Sequence, residues 1–159
     1  MNLLAALLLL VVANGAPVAA WKLLGRHWSF PVDAGLQLAD GQRLLGPSKT
    51  WRGVGAATIA GAASAALLGL PAATGALTGL LAMTGDLFSS FVKRRLGIPA
   101  SGMALGLDQI PESVLPVLAL RGPLALTWSD VAVLVAAFSI TELLLSRMLF
   151  LLNLRKQPY

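Results

Sequence analysis

Asp86 is a carboxylate set in an otherwise apolar stretch, Gly85-Asp86-Leu87-Phe88-Ser89-Ser90-Phe91-Val92-Lys93-Arg94-Arg95. An ionisable group in such a setting is costly, and it usually marks a working site. At helical spacing Asp86, Ser89, Ser90 and Lys93 share one face, with Arg94 beside it. The other side, with Leu87, Phe88 and Phe91, is apolar. Asp108 follows after the cations Lys93, Arg94 and Arg95. Two carboxylates near several cations suit magnesium and a polyphosphate: magnesium takes one or two carboxylates plus phosphate oxygens and water, while the cations neutralise phosphate charge. The structural alternative is an Asp86–Lys93 pair that merely ties one helix face together.

A second cluster, Gly46-Pro47-Ser48-Lys49-Thr50-Trp51-Arg52-Gly53, leads directly into an apolar run. Helix N-terminal amides attract anions, and Lys49 and Arg52 add charge. The glycine spacing of a Walker A loop is missing. The bland reading is that Lys49 and Arg52 anchor a helix at the lipid headgroups. With one histidine and no cysteine, a His or Cys metal cluster is excluded, and so is a disulfide framework. His27 beside Trp28 reads as a headgroup contact.

These groups must be positioned by membrane helices. The chain has 159 residues, 57% of them hydrophobic and 12% charged, against about 25% charged in a soluble domain. The length holds one bundle. The expected fold is all-α, an integral membrane bundle of five transmembrane helices over residues 3–22, 54–70, 72–92, 107–124 and 130–152. Residues 25–53 and 93–109 form two polar cytoplasmic loops. The fourth span is short and carries Glu112 and Pro116. Residues 3–20 compete with a signal-peptide reading. Their cations, Lys22 and Arg26, follow the apolar run instead of preceding it, which favours a retained helix with its N-terminus outside. Asn14-Gly15-Ala16-Pro17 allows a kink or a close neighbour there.

This topology puts Lys22, Arg26, Arg43, Lys49, Arg52, Lys93, Arg94, Arg95, Arg147, Arg155 and Lys156 inside and only Arg121 outside, eleven of the twelve cations. That asymmetry is the positive-inside rule. It explains the net charge of +5 without a nucleic-acid partner. The C-terminus is then cytoplasmic. Trp21, Trp28, Trp51 and Trp128 fall near span ends, as an aromatic belt requires. Glu142 lies mid-span, as helix–helix glue or a cavity lining.

The pattern of the CDP-alcohol phosphotransferases fails here, because Asp40-Gly41 is followed by Gln42-Arg43-Leu44-Leu45 and no aspartate before Asp86. A different family fits. Pro31-Val32-Asp33-Ala34-Gly35 and Asp40-Gly41-Gln42-Arg43-Leu44-Leu45-Gly46-Pro47-Ser48-Lys49-Thr50-Trp51-Arg52-Gly53 resemble the first cytoplasmic loop of the CDP-archaeol synthases. Gly85–Arg95 resembles the segment which that family shares with the phosphatidate cytidylyltransferases. Leu107-Asp108-Gln109 resembles the Asp-Gln pair of the archaeal-type branch, and the His-Gly-Gly signature of the phosphatidate enzymes is absent.

The resemblance implies a cytidylyltransferase that joins CTP to a membrane lipid phosphate and releases pyrophosphate. By that analogy Asp86 and Asp108 hold Mg2+, and Lys93 and Arg94 bind the CTP phosphates. Lys49, Thr50 and Arg52 hold the lipid phosphate or complete the triphosphate site. Asp33 and Asp40 order the first loop and touch the nucleotide; Ser89, Ser90 and Gln109 line the substrate site. In archaea the family's acceptor is a digeranylgeranyl glycerol phosphate, and a diacyl or other alkyl phosphate acceptor is left open by these residues. An oligomer is compatible with this plan. The competing readings are a small transporter with an anion-binding cavity and a non-catalytic membrane subunit. An anion carrier gains nothing from two carboxylates beside its cations.

Overall fold

Long apolar runs with few breakers leave the backbone no partner but itself, and they fold as helices. The computed structural model describes residues 2–100, 102 and 104–151. It contains α1 (Asn2–Leu24), α2 (Trp51–Leu67), α3 (Ala72–Arg95), α4 (Gln109–Leu120) and α5 (Trp128–Leu151). Among the described residues the extended pairing is limited to two isolated bridges, Pro31 with Thr50 and Gln37 with Arg43. Ser101, Arg155 and Lys156 lie outside the described residues, as does the last residue of the expected fifth span.

Local signals set several helix ends. Thr50 is the N-cap of α2, its Oγ1 accepting from Gly53 N at 3.2 Å. This starts α2 three residues before the expected span, and the cap explains the difference. Thr127 and Asp130 form a reciprocal capping box at α5: Thr127 N donates to Asp130 Oδ2 at 2.8 Å, and Asp130 N donates to Thr127 Oγ1 at 3.2 Å. The three cations Lys93–Arg95 close α3, where they complement the helix dipole. α1 runs unbroken through Pro17. Pro17 serves as a packing surface, with its Cβ 3.4 Å from where a Cβ on Gly53 would lie.

α1 touches every other helix. Leu9 and Leu10 of α1 are buried with Val117 and Leu120 of α4 and Leu134 and Phe138 of α5. The outer surface is also apolar; Leu23, Ile59, Leu67 and Leu151 are largely exposed. Hydroxyls on the helices bond back to their own backbone: Thr58, Thr78, Thr84, Ser139 and Thr141 each donate to the carbonyl four residues earlier. An apolar exterior with internally satisfied hydroxyls suits lipid. Three helices are long and apolar enough to cross a membrane: Leu3–Leu24, Ala72–Arg95 and Trp128–Met148. α2, with 17 residues, and α4, with 12, are shorter.

Helices α2 and α3 cross through their glycines. A Cβ on Gly75 would run into the carbonyl oxygen of Gly61, and one on Gly79 into that of Ala57. The neighbouring atoms are backbone and cannot give way. Gly75→Leu is therefore expected to destabilise the bundle by about 3 kcal/mol. Thermal unfolding in detergent, followed by circular dichroism, would show it as an earlier transition; an unchanged transition would contradict this packing.

Candidate active site

The ends of α1, α3 and the starts of α2 and α4 meet at one end of the bundle, joined by residues 25–50 and 96–108. Asp33 is the hub of the first of these loops. Its Oδ1 accepts from Arg43 Nη2 at 2.5 Å and Gly35 N at 3.0 Å, and its Oδ2 accepts from Leu45 N at 3.1 Å and Gly46 N at 3.0 Å. The side chain is fully buried. Burial alone would raise its pKa, but the Arg43 guanidinium and the three backbone N–H donors outweigh that and hold the carboxyl well below the usual range.

A group depressed in the folded state adds stability above its unfolded pKa and loses it as pH falls through the lower folded value. The loop should thus keep its protection against proteolysis down to about pH 4 and lose it below. Asp33→Asn should lower stability by about 3 kcal/mol at neutral pH, by leaving Arg43 without its charge partner. It should also flatten the acid limb of a proteolysis profile; an acid limb identical to the wild type would refute the assignment.

Asp33 matters because the loop it orders delivers Lys49. Val32 N donates to Lys49 O at 2.8 Å and Trp51 N to Phe30 O at 3.1 Å, which fixes the backbone on both sides of Thr50. Lys49 Nζ then reaches both carboxylate oxygens of Asp86, at 2.7 and 2.8 Å. Asp40 ties the same loop to α3, accepting from Arg95 Nη1 at 2.6 Å, and Arg95 Nη2 donates to Arg43 O at 2.8 Å.

The second pair comes from α3 and the second loop. Lys93 Nζ lies 2.5 Å from Asp108 Oδ1 and donates to Gly102 O at 3.3 Å. Asp108 Oδ2 accepts from Ala104 N at 3.0 Å, and Gln109 Oε1 accepts from Gly106 N at 2.9 Å. Asp86 and Lys93 sit two turns apart on α3, about 10 Å along its axis. Arg94 beside them is buried, and its Nε finds no acceptor.

Asp86 thus pairs with Lys49 from another segment, not with Lys93 on its own helix. Asp86 and Asp108 each hold their own lysine. Ser89 and Ser90 are buried, and Ser89 Oγ donates to Gly85 O at 2.9 Å within the helix. Thr50 is committed to capping α2. Arg52 is turned away: its guanidinium donates to the carbonyls of Gly25 and His27 and stacks 5.4 Å from the centre of Trp21. It clasps the end of α1, a role nearer to the anchoring alternative than to a phosphate contact.

Sequence reasoning assigned no role to Glu112. It lies in the first turn of α4, it is buried, and its Oε1 meets no donor. Its signal was visible, because it is an acid inside an apolar run, as Asp86 is. Among the described residues no group of three or more His, Cys, Asp or Glu side chains stands at metal-binding spacing. Magnesium needs only one or two carboxylates when phosphates and waters complete its shell. The carboxylate oxygens of Asp86 and Asp108 are hard donors of that kind.

The profile of the CarS-like family, CDP-archaeol synthase, matches residues 1–73 and 70–159. The CDP-archaeol synthase of Aeropyrum pernix is 38% identical over 99% of this chain and 93% of its own. Those of Thermofilum pendens and Pyrobaculum arsenaticum are 36% and 34% identical, each over 93% of this chain and over 76% and 92% of their own lengths. A solved structure, of an intramembrane enzyme for archaeal membrane lipid biosynthesis, superposes with a TM-score of 0.72 at 33% identity, covering 88% of this chain and 89% of the other.

Proposed function

We propose, for a chain that belongs to the CDP-archaeol synthase family, that it is a CTP-dependent cytidylyltransferase acting on a lipid phosphate in the membrane. The observation that carries this reading is the convergence of two lysine–carboxylate pairs, Lys49–Asp86 and Lys93–Asp108, at one end of an apolar bundle. All five helices are proposed to cross the bilayer, with the N-terminus outside and both polar loops facing the cytoplasm, where CTP is. The acceptor is an archaeol-type or a diacylglycerol-type phosphate.

In the reaction a phosphate oxygen of the lipid forms a bond to the α-phosphorus of CTP. The bond from that phosphorus to the bridging β-oxygen breaks, and its electron pair leaves with pyrophosphate. A phosphomonoester with a second pKa of about 6 is largely dianionic near neutral pH, so no general base is required. His27, whose Nδ1 lies 3.1 Å from Leu24 O at the end of α1, has no part in the step. What remains is positioning and charge neutralisation.

Lys49 and Lys93 exchange their carboxylates for phosphate oxygens, and Arg94 offers its unpartnered Nε to the triphosphate. Asp33 and Asp40 act through the first loop by holding Lys49 in register. Gln109 and Ser90 line the substrate side. Asp86 and Asp108 are the proposed magnesium ligands; the ion, when bound, supplies positive charge against the triphosphate. An anion carrier would use the same cations, but its affinity would be lowered by Asp86 and Asp108.

The test is incubation of the purified protein with labelled CTP, magnesium and a panel of ether-linked and diacyl glycerol phosphates. A CDP-lipid with one of these acceptors is expected. No product with any acceptor, from folded protein, would sink the reading.

A further inference from the structure

We propose that residues 21–28, Trp21-Lys22-Leu23-Leu24-Gly25-Arg26-His27-Trp28, form a docking surface for the anionic phosphodiester headgroups of the surrounding bilayer. The segment carries the chain out of α1 and into the first loop, and every one of its residues is exposed. It holds two tryptophans, a lysine and an arginine, and no acid. Trp21 is 51% exposed and Trp28 is 70% exposed.

The backbone of this segment is fixed. Gly25 N donates to Trp21 O at 2.9 Å and His27 N to Leu24 O at 3.0 Å, which closes the end of α1. Ser29 Oγ donates to Arg26 O at 3.0 Å, and the Arg52 guanidinium donates to the carbonyls of Gly25 and His27. Main-chain groups are thus satisfied from within, and the side chains are left for a partner outside the chain. Trp28 sits at φ 53°, in the left-handed region that a bulky residue rarely adopts. A turn of that kind gains nothing by exposing a large ring to water. At the end of a membrane helix the ring lies among headgroups instead, where tryptophan is favoured.

The charges point to the same partner. Each of the four aspartates at this end of the bundle already faces a cation: Asp33 has Arg43, Asp86 has Lys49, Asp108 has Lys93 and Asp40 has Arg95. Glu112 is buried. Among the described residues, Lys22 and Arg26 have no carboxylate at ion-pairing distance. Two exposed cations without counter-charge, bracketed by two indole rings, match phosphates at the edge of the hydrocarbon. Lysine supplies a point charge, and arginine supplies a fork for phosphate oxygens. The positive-inside rule puts such cations on one side of a membrane but implies no preference among lipids; the missing counter-charge does. The patch is shallow and open along its length, which suits the headgroups of the bilayer and not the capture of a single acceptor molecule.

This surface stands apart from cytidylyl transfer, because its test reads lipid contact and not turnover. Trp51→Phe and Trp128→Phe together leave Trp21 and Trp28 as the fluorescent reporters in the full-length chain. The protein is reconstituted in vesicles of equal amounts of phosphatidylcholine and phosphatidylglycerol, with bromine on the upper acyl carbons of one lipid or the other. Brominated phosphatidylglycerol is expected to quench the rings more strongly, reporting an enrichment of about fivefold around them. Lys22→Gln combined with Arg26→Gln should bring the two lipids to parity, whereas Lys22→Arg with Arg26→Lys should keep the preference. Should the glutamine pair fail to fold, the salt response of the reporter protein decides, because molar salt shortens the screening length to about 3 Å and should erase the preference. Equal quenching by the two lipids in the reporter protein, an unchanged preference in the folded glutamine pair or in molar salt, or rings quenched by aqueous iodide and by neither lipid would overturn the proposal.

Discussion

Asp86→Asn is expected to lower CDP-lipid formation by about 1,000-fold, with expression and thermal unfolding close to wild type. The change removes one negative charge and almost no volume. The amide that replaces the carboxylate still presents an oxygen to Lys49, which now loses only a charge-assisted hydrogen bond. A structural role for Asp86 would therefore survive the substitution largely intact, whereas a metal-binding role would not. Turnover with CTP and lipid phosphate at saturating magnesium measures the difference. Near-wild-type turnover would refute the metal-ligand role.

Lys93→Met is expected to lower turnover by about 100-fold, and Lys93→Arg to recover part of it, because the charge remains while the compact ammonium is replaced by a fork. Lys93 is 11% exposed and its partner Asp108 is 22% exposed, so the pair is reachable by a substrate yet shielded from bulk water. Charges in such a place count for more than on the surface. Pairing Lys93→Met with Asp108→Asn in a double-mutant cycle separates two roles. If Lys93 serves only to hold Asp108, the double variant should be no worse than the worse single one. If both act on the triphosphate, the losses accumulate.

The helices were legible because lipid-facing elements leave a strong trace: unbroken apolar runs, prolines and glycines at their ends, cations on one side. All five helices start and stop within four residues of where the runs do, and Thr50 accounts for the early start of α2. The candidate residues stood out as a set, since charge inside apolar sequence is costly and therefore conspicuous. Their pairings did not. Helical spacing placed Asp86 and Lys93 on one face, but two turns separate them, and Lys49 arrives from 37 positions away through a loop. That loop's path depends on the four hydrogen bonds into Asp33 and on left-handed residues such as Gly35, Gly41 and Gly46. None of these has a periodic signature.

Arg52 shows the same limit from the other side. Its position before an apolar run suits an anion contact, and only the fold reveals that the carbonyl groups at the end of α1 lie closer. Glu112 was as conspicuous as Asp86, but its burial against α3 depends on the Gly85 crossing. A glycine in a helix declares nothing about which helix it admits.

Transfer of a cytidylyl group is followed with CTP labelled on either the α- or the γ-phosphate. With a lipid phosphate acceptor, α-label is expected in the lipid product and γ-label in pyrophosphate, in equal amounts. γ-Label in the lipid, or pyrophosphate released without α-label reaching the lipid, would contradict it.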